Sequence, residues 1–317
     1  MLIVLLLPAT GSGWGYEGHS NVNEVAAGKI PRSMPRFFRK GKKWLTYLGY
    51  EPDRWRDDRE AALKSAQSPD HFLDLELLDG ITQLPPDRYS FYQLLAEKRA
   101  STPGNPEMLL PQKVGLQPYI VIEVYDRLKA SFREYRLLKE LKKPTKNVER
   151  KIVFYAGWLG HYVADGAQPL HTTIHYNGWV GDNPSQYSAD RTIHYRFESE
   201  FVKTNLERPD FADLVQPPTQ LANPFADYMQ YLRDSNRLVE PLYQLDKAGA
   251  FTGAGTAEGR DFVRRRLAAG AQMLVNLWYT AWLESTKPPI PRAPAASPSP
   301  PEGSGGLPGK PPAPPGS

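Results

Sequence analysis

Helical periodicity dominates this chain and constrains its fold more than any other feature. Residues 117–142 form the longest amphipathic segment, with Pro118 at a favourable helix start and apolar residues along one side. Few stretches alternate with period two, so the pattern predicts an all-α fold in a single multi-helix domain. The same helical period recurs in residues 22–30, 146–167, 189–205, 219–245 and 258–285. Long functional loops are expected at residues 50–75, 78–116 and 168–188.

The two ends of the chain differ in composition from the part between them. Residues 1–13 hold an apolar run followed by small residues, which is typical of a secretory signal that lacks its charged beginning. A short frayed apolar terminus is the alternative, and the run is too short to span a bilayer. Residues 287–317 contain 12 of the 31 prolines, which predicts a disordered Pro/Gly/Ser-rich tail. The folded domain is therefore expected at residues 14–286, in a secreted or periplasmic protein.

Charge and cysteine content limit the classes of function. The chain carries a formal charge of +4, of which the tail contributes Lys287, Arg292 and Lys310 against Glu302, so the domain keeps +2. A protein that grips many phosphates along a nucleic acid would usually be more basic than this. The chain has no cysteine, which excludes disulfides and thiolate metal sites. Any metal must be held by imidazole, carboxylate or backbone groups.

Five of the six histidines fall into short motifs that combine imidazole with carboxylate. On a predicted helix His161 and Asp165 are four residues apart and leave the same face, and His194 and Glu198 repeat that spacing. One such pair is weak evidence because surface pairs at this spacing are common, but two pairs with further histidines predict a site for several zinc ions. The motifs are Trp14-Gly-Tyr-Glu-Gly-His19, Asp53-Arg-Trp-Arg56, His71-Phe72-Leu-Asp74, His161-Tyr-Val-Ala-Asp165, Gln168-Pro-Leu-His171 and His194-Tyr-Arg-Phe-Glu198.

Together, and in this order, these motifs resemble the superfamily that joins zinc-dependent phospholipases C with single-strand-specific nucleases. The resemblance covers the chain from Trp14 to about Phe201. It implies a nearly all-α fold and a site with three zinc ions. One zinc would be held by Asp53, His71, His161 and Asp165. The second would be held by His171, His194 and Glu198. The third would be held by His19, a bridging Asp165, and the free amine and carbonyl of Trp14.

The Trp14 ligand requires a chain that begins at Trp14, because an acylated nitrogen has no lone pair to donate. Signal cleavage after Gly13 would then be a step in building the site. Catalytic roles are expected for Asp165 and for Arg56, which is placed to stabilise charge on phosphoryl oxygens. Arg56 could instead be a surface ion-pair partner, and Trp14 an ordinary core residue.

Substrate contacts are less well specified by the motifs. Phe72 and Asp74 match a base-binding pocket in the nuclease branch, but the phospholipase branch carries the same motif. Phe72 could also be packing, and Asp74 a helix cap. Asn177 lies in the segment 172–188, which should border the substrate pocket. His175 has no counterpart in the motifs, and we expect a surface or loop role.

The spacing favours a nuclease that cuts single-stranded DNA and RNA to 5′-phosphorylated products, with 3′-nucleotidase activity also compatible. The separations of Trp14 from His19 and of His171 from His194, together with Arg56, resemble the nuclease branch. Glu198 and the segment after Asn177 resemble it less, and the alternative is a phospholipase C acting on phospholipid head groups. No amphipathic helix with an apolar and basic membrane face stands out, which favours the nuclease.

A non-catalytic zinc protein would be expected only if a ligand or Arg56 were missing, and none is. We expect single-stranded nucleic acid, or alternatively phospholipid, as the substrate. No stable protein partner is implied, and we expect a monomer.

Overall fold

A computed structural model describes residues 14–286, apart from the side chains of residues 208 and 209. The predicted signal peptide and tail lie outside this range. Within it the fold is all-α, as predicted, and the only extended pairing consists of two isolated bridges, Leu73 with Gly115 and Tyr176 with Gly178. In the described part of the chain, no helix combines the length and apolar character that a membrane crossing requires.

Most of these residues lie in α-helices, joined by short 3₁₀ segments and one π-helical segment. The α-helices are α1 (Tyr16–Gly28), α2 (Arg36–Lys40), α3 (Lys42–Leu48), α4 (Glu51–Arg54), α5 (Ala61–Gln67), α6 (Arg88–Ser101), α7 (Pro111–Val114), α8 (Gln117–Glu140), α9 (Lys146–Ala167), α10 (Ile193–Tyr195), α11 (Phe201–Asn205), α12 (Pro224–Asn236), α13 (Val239–Lys247) and α14 (Ala257–Glu284). The 3₁₀ segments are Asp58–Glu60, Ser68–His71, Leu75–Leu78, Pro106–Leu109, Pro169–His171 and Arg208–Leu214, and the π-helix is Arg196–Glu200.

Helix α9 is the central element and contacts α1, α3, α8, α12 and α14. Its carboxyl-terminal half is buried on nearly every side, so its last carbonyl groups cannot be hydrated and need protein donors. The indole of Trp14 donates to Ala164 O at 2.8 Å, and Ser235 Oγ donates to Gly166 O at 2.6 Å. The hydroxyl of Tyr231 donates to Val163 O at 2.7 Å. These bonds fix the end of α9, which carries much of the site.

The predicted helices agree best with the structure where the periodic segment is long. The segments 117–142, 146–167 and 258–285 correspond to α8, α9 and α14 within two residues. The segment 219–245 forms two helices, α12 and α13, because the chain turns at residues 237 and 238. The expected loop at 78–116 was wrong in part, since it contains α6, whose start is capped by the carboxylate of Asp87 bound to Ser90 N.

Candidate metal centre

The last three turns of α9 place two of the predicted ligands side by side. His161 and Asp165 are fully buried and lie one turn apart, with His161 Nε2 3.4 Å from Asp165 Oδ2. The opposite ring nitrogen, His161 Nδ1, hydrogen-bonds to Gly49 O at 2.9 Å. A carbonyl at Nδ1 fixes the ring and its tautomer, and it leaves Nε2 free for a metal.

Close packing of the α3 and α9 backbones brings the Gly49 carbonyl to the His161 ring. Asn23 lies between α3 and α9, with its amide donating to Leu45 O at 2.7 Å and Gly157 O at 3.0 Å. A Cβ atom on Gly160 would lie 1.9 Å from Asn23 Oδ1. Glycine at 160 is therefore needed for the packing that positions His161.

His71 joins the same group from the 3₁₀ segment Ser68–His71. Its Nδ1 lies 3.0 Å from Asp165 Oδ2 and 3.1 Å from His161 Nε2. The His71 carbonyl accepts a hydrogen bond from Gln117 Nε2 at 2.9 Å, so the start of α8 holds this turn in place. His71, His161 and Asp165 form one group whose donor atoms could hold a metal ion.

A second group combines His19 of α1 with Asp53 of α4 and with His161. His19 Nε2 is 4.0 Å from Asp53 Oδ2, and His161 Nε2 is 3.8 Å from Asp53 Oδ1. His19 Nε2 also lies 3.4 Å from Asp165 Oδ1, and its ring stacks on His161 with centroids 3.9 Å apart. Each predicted ligand of this region is present, but Asp53 lies as close to His19 as to His161.

The third group is His171, His194 and Glu198, the set predicted for the second zinc. His194 Nε2 lies 2.8 Å from Glu198 Oε2 and 3.2 Å from His171 Nε2. Backbone carbonyls again hold the remaining ring nitrogens: His71 O lies 2.6 Å from His171 Nδ1, and Tyr176 O lies 2.9 Å from His194 Nδ1.

The π-helical segment Arg196–Glu200 carries Glu198 in the predicted helix 189–205. The side chains of Phe197, Glu198 and Phe201, in this segment and directly after it, are all buried. A wider helical turn changes which side chains face the interior, and such turns occur often at functional sites. The carboxylate is thereby directed toward His194, while both phenylalanines remain in the core.

Gln168 is a site residue that the sequence motif contained but to which no role was assigned. The side chain is fully buried, its Oε1 accepts from Leu170 N at 2.7 Å, and its Nε2 donates to Glu198 Oε2 at 3.2 Å. One amide thus fixes the turn that leads to His171 and orients the carboxylate of Glu198. Its position between Asp165 and His171 was the available signal.

Burial dominates the electrostatics of the site. It raises the pKa of Asp53 to about 7 against the opposing charge of Arg56, and it raises the pKa of Asp165 well above its usual range. Burial and neighbouring charges hold the pKa values of His19, His71 and His161 well below the ordinary value. Such rings are neutral at physiological pH, which is the form that binds metal.

The pKa values of His194 and Glu198 shift in opposite directions. Burial lowers the pKa of His194, but the Glu198 carboxylate outweighs it and the net shift is upward. Burial raises the pKa of Glu198, and His194 with His171 reverses this, so the net shift is downward.

The donor atoms fit divalent zinc on two grounds. Imidazole nitrogen and carboxylate oxygen are its usual ligands where thiolate is absent. Several of these buried atoms also lack a hydrogen-bond partner within the described residues, which would be costly without a cation. They are His19 Nδ1 and Nε2, Asp53 Oδ2, His71 Nε2, Asp165 Oδ1 and Glu198 Oε1.

Trp14 is buried beside this site and is anchored through its indole. Its carbonyl accepts the His19 N–H at 3.2 Å. The ligand role of its amine stays a prediction, because it requires a chain that begins at Trp14.

The other predicted residues surround the site in different ways. Arg56 Nη1 lies 3.3 Å from Asp53 Oδ1, so the guanidinium adjoins the ligands. Asp74 is 7% exposed, and burial together with Glu76 raises its pKa to about 8. Phe72 is half-buried against Gly115, and Asn177 Oδ1 accepts the His194 N–H at 3.5 Å.

His175, for which no ligand role was expected, stacks on Trp179 with ring centroids 3.9 Å apart. Its Nδ1 accepts the Val180 N–H at 3.1 Å, and its carbonyl accepts from the Tyr243 hydroxyl. His175 therefore stabilises the segment beyond the site.

No protein-family model matches the chain, and no curated protein matches its sequence. Among solved structures, the chain aligns with alpha-toxin of an avian strain of Clostridium perfringens at 13% identity and a TM-score of 0.36, covering 86% of this chain and 64% of that one. Alpha toxin from Clostridium absonum aligns at 12% identity and a TM-score of 0.37, covering 87% and 66%. The chain thus spans slightly less than two thirds of either length. At these TM-scores the alignments establish neither family nor activity.

Proposed function

We propose that this chain is a zinc-dependent hydrolase of phosphodiesters and that phospholipid head groups are its substrates. The observation that carries the proposal is the junction of three ligand groups around Asp165, all built from buried imidazole and carboxylate. Two of these groups share His161, and the count of three zinc ions implied by the motif resemblance is part of the proposal. Secretion or export to a periplasm remains part of the same proposal.

The ligands would be His19, Asp53, His71, His161, Asp165, His171, His194 and Glu198. The motif resemblance adds the Trp14 amine and carbonyl as a further pair. Zinc at such a site supplies Lewis acidity and makes water a nucleophile near neutral pH. The protein's own contribution is to aim three of the imidazoles through the carbonyls of Gly49, His71 and Tyr176. Burial keeps His19, His71 and His161 neutral.

In this proposal Arg56 is the cation that binds the phosphoryl group. Its guanidinium lies 3.3 Å from Asp53, and its side chain keeps 19% exposure, so part of the side chain is accessible to a substrate. A planar fork of donors matches two phosphoryl oxygens, and it stabilises the charge that develops on them during displacement.

Two of the residues predicted to contact the substrate support a nucleic acid poorly. Asp74, a predicted base contact, is buried, and the amide oxygen of Asn177, predicted to border the pocket, is used by the His194 N–H. Exposed phenol rings border the site instead: Tyr176 lies 6.1 Å from the His194 ring, and Tyr16 reaches His19 through Tyr50. An apolar rim suits a lipid, and Glu198 is the ligand type that resembles the phospholipase branch.

A nuclease acting on single-stranded nucleic acid is the second candidate, and Arg56 favours it. The Asp-x-x-Arg spacing that predicted this activity is present, with the guanidinium beside Asp53. The two candidates share the metal chemistry and differ in what the rim of the site contacts.

The decisive experiment offers zinc-loaded protein phosphatidylcholine vesicles and denatured DNA in parallel, and follows phosphocholine and acid-soluble nucleotides. Chelator-sensitive release of phosphocholine would support the phospholipase proposal. Release of nucleotides alone would favour the nuclease, and release of neither from fully metal-loaded protein would contradict both.

A further inference from the structure

An exposed aromatic and basic surface lies beside the metal centre, on the short helices α2 and α3. Residues 36–50 contain five basic and no acidic residues. Trp44 is 63% exposed and Tyr47 is 46% exposed, although both are large rings that fold into cores when partners are available. Together with Lys40, Lys43 and Arg54, these two rings are called the α3 face below.

The aromatic part of the α3 face is continuous. The Trp44 and Tyr47 rings meet edge to face with centroids 5.6 Å apart, and the Arg54 guanidinium lies 4.2 Å from the Tyr47 centroid. Arg54 also lies 5.4 Å from the Tyr50 ring, whose centroid is 5.7 Å from that of the half-exposed Tyr16.

This aromatic series leads directly to the metal centre. The Tyr50 ring lies 6.1 Å from the His19 ring, and Arg54 follows Asp53 in the chain. A surface that docked on the α3 face would therefore bring its lipids to the edge of the site. An aromatic cluster on another part of the surface would not bring bound lipid close to the metal centre.

The basic part of the α3 face has uncompensated charge. Lys42 is paired with Glu24 at 3.1 Å, and Arg54 with Glu51 at 2.8 Å. Within residues 14–286, no ion pair engages Lys40 or Lys43, and both side chains are exposed. Lys43 and Tyr47 are four residues apart on α3, so charge and ring share one side of the helix.

We infer that the α3 face docks on an anionic phospholipid surface and presents the metal centre to it. Tryptophan and tyrosine beside lysine and arginine are the side chains that occupy the polar boundary of a bilayer. Lysines near an anionic leaflet add electrostatic attraction. This inference rests on the proposed function for its choice of a lipid over another anionic surface.

Ring geometry favours a bilayer over a single-stranded nucleic acid. Stacking platforms for bases present open aromatic faces. Here the guanidinium of Arg54 covers one face of Tyr47, and Trp44 stands at 86° to that ring. The sequence pattern did not predict the face because its residues come from three short helices, α2, α3 and α4, rather than from one long amphipathic helix.

The test measures sedimentation of the full chain with vesicles of phosphatidylcholine alone and with added phosphatidylglycerol. Lys40→Glu/Lys43→Glu should reduce binding to the anionic vesicles by at least roughly fivefold for each lysine changed. Trp44→Ala/Tyr47→Ala should reduce binding to both kinds of vesicle severalfold. Each variant is also measured in protein that begins at Trp14, so that the apolar run in residues 1–13 adds no vesicle binding of its own.

Matched controls change the same residue types elsewhere. Lys139→Glu/Lys143→Glu makes the same charge change on an exposed segment, and Tyr89→Ala removes a ring that is 80% exposed on α6. Both controls should bind like the parent protein. Quenching of tryptophan fluorescence by brominated phosphatidylcholine should occur in the parent and fall in Trp44→Phe.

Hydrolysis of bis(p-nitrophenyl) phosphate, which needs no bilayer, separates this inference from the proposed function. All face variants should keep the parent rate on this soluble diester. Controls that lose as much vesicle binding as the face variants would overturn the inference, as would face variants that bind vesicles normally. Loss of binding to denatured DNA but not to vesicles would identify the face as a nucleic-acid surface. A parent protein that hydrolyses no phosphodiester would contradict the function while leaving vesicle binding to be judged separately.

Discussion

His71 Nδ1 and Asp165 Oδ2 lie 3.0 Å apart, although 94 residues separate them in the chain. Asp165 also lies 3.4 Å from both His19 and His161 through its two oxygens. One carboxylate on α9 therefore touches ligands from α1, from α9 itself and from the 3₁₀ turn that ends at His71. It is the point at which the ligand groups meet.

Asp165→Asn should abolish phosphodiester hydrolysis and reduce bound zinc, because an amide is a poor bridge between two cations. Zinc per chain after dialysis, measured by mass spectrometry beside turnover, checks this expectation. Asp126→Asn, at a side chain 56% exposed, is the matched control. Full zinc content together with full turnover in the Asp165 variant would contradict the shared-ligand arrangement.

Arg56→Ala should lower turnover by roughly 10²–10³-fold while zinc content stays unchanged, since a transition-state donor is lost and no ligand is removed. Arg56→Lys should recover only part of the rate, because lysine lacks the planar fork. Steady-state kinetics on a soluble diester, with metal analysis of the same samples, measure both effects. A rate near that of the parent would limit Arg56 to a structural role beside Asp53.

Gln168→Ala should weaken zinc binding by roughly 10- to 100-fold, because Glu198 loses the amide that orients it. Competition with a chromophoric chelator measures the change. Gln168→Glu keeps an acceptor for Leu170 N but places a second carboxylate beside Glu198, so its zinc affinity in the same assay should also fall. Unchanged zinc affinity in both variants would show that the Gln168 bond has no part in orienting Glu198.

Asp74→Asn should remove a pH dependence of folding stability. The folded-state pKa of Asp74 is raised to about 8 by burial and by Glu76, so its protonated form is favoured on folding. The stability that protonated Asp74 contributes is fully present below the unfolded pKa and is lost as the pH rises toward 8. The loss is on the order of several kcal/mol. Urea unfolding in chelator at pH 5 and pH 9 should show the variant gaining relative to the parent at the higher pH. An equal difference at both pH values would contradict the pKa assignment.

Protein that begins at Trp14 should bind zinc more fully than protein that retains Gly13 before it. Acylation removes the lone pair of the Trp14 nitrogen, whereas the indole anchor to Ala164 is the same in both forms. Zinc stoichiometry at equal free metal compares the two. Equal stoichiometry would exclude the Trp14 amine as a ligand.

The sequence predicted long helices well and short ones poorly. Helices α8 and α9 bury a continuous apolar side, so their periodicity survives in the sequence. The division between α12 and α13 was not predicted, since no proline or glycine interrupts residues 225–238. The break serves packing: Ser235 bonds to Gly166 O, and Tyr243 reaches the His175 carbonyl from a separate helix.

The candidate ligands followed from residue type and spacing, and the motif resemblance implied how they group. The set of His171, His194 and Glu198 was among those implied, whereas the set of His19, Asp53 and His161 was not. His161 and Asp165 share a face because four residues make about one helical turn. That Asp53 lies as near His19 as His161 depends on how α4 and α1 pack against α9, which no local pattern records. Gly49, His71 and Tyr176 orient the rings through their carbonyls, and carbonyls are common to all residue types.

The backbone carbonyls that hold three of the imidazoles come from three distant parts of the chain. A peptide cut from this protein would keep its histidines and lose the groups that aim them. Affinity for metal is therefore a property of the whole folded domain, and by thermodynamic linkage each bound ion should return its binding free energy as resistance to unfolding. Zinc would then have two roles in this chain, one in catalysis and one in stabilising a fold that has no disulfides.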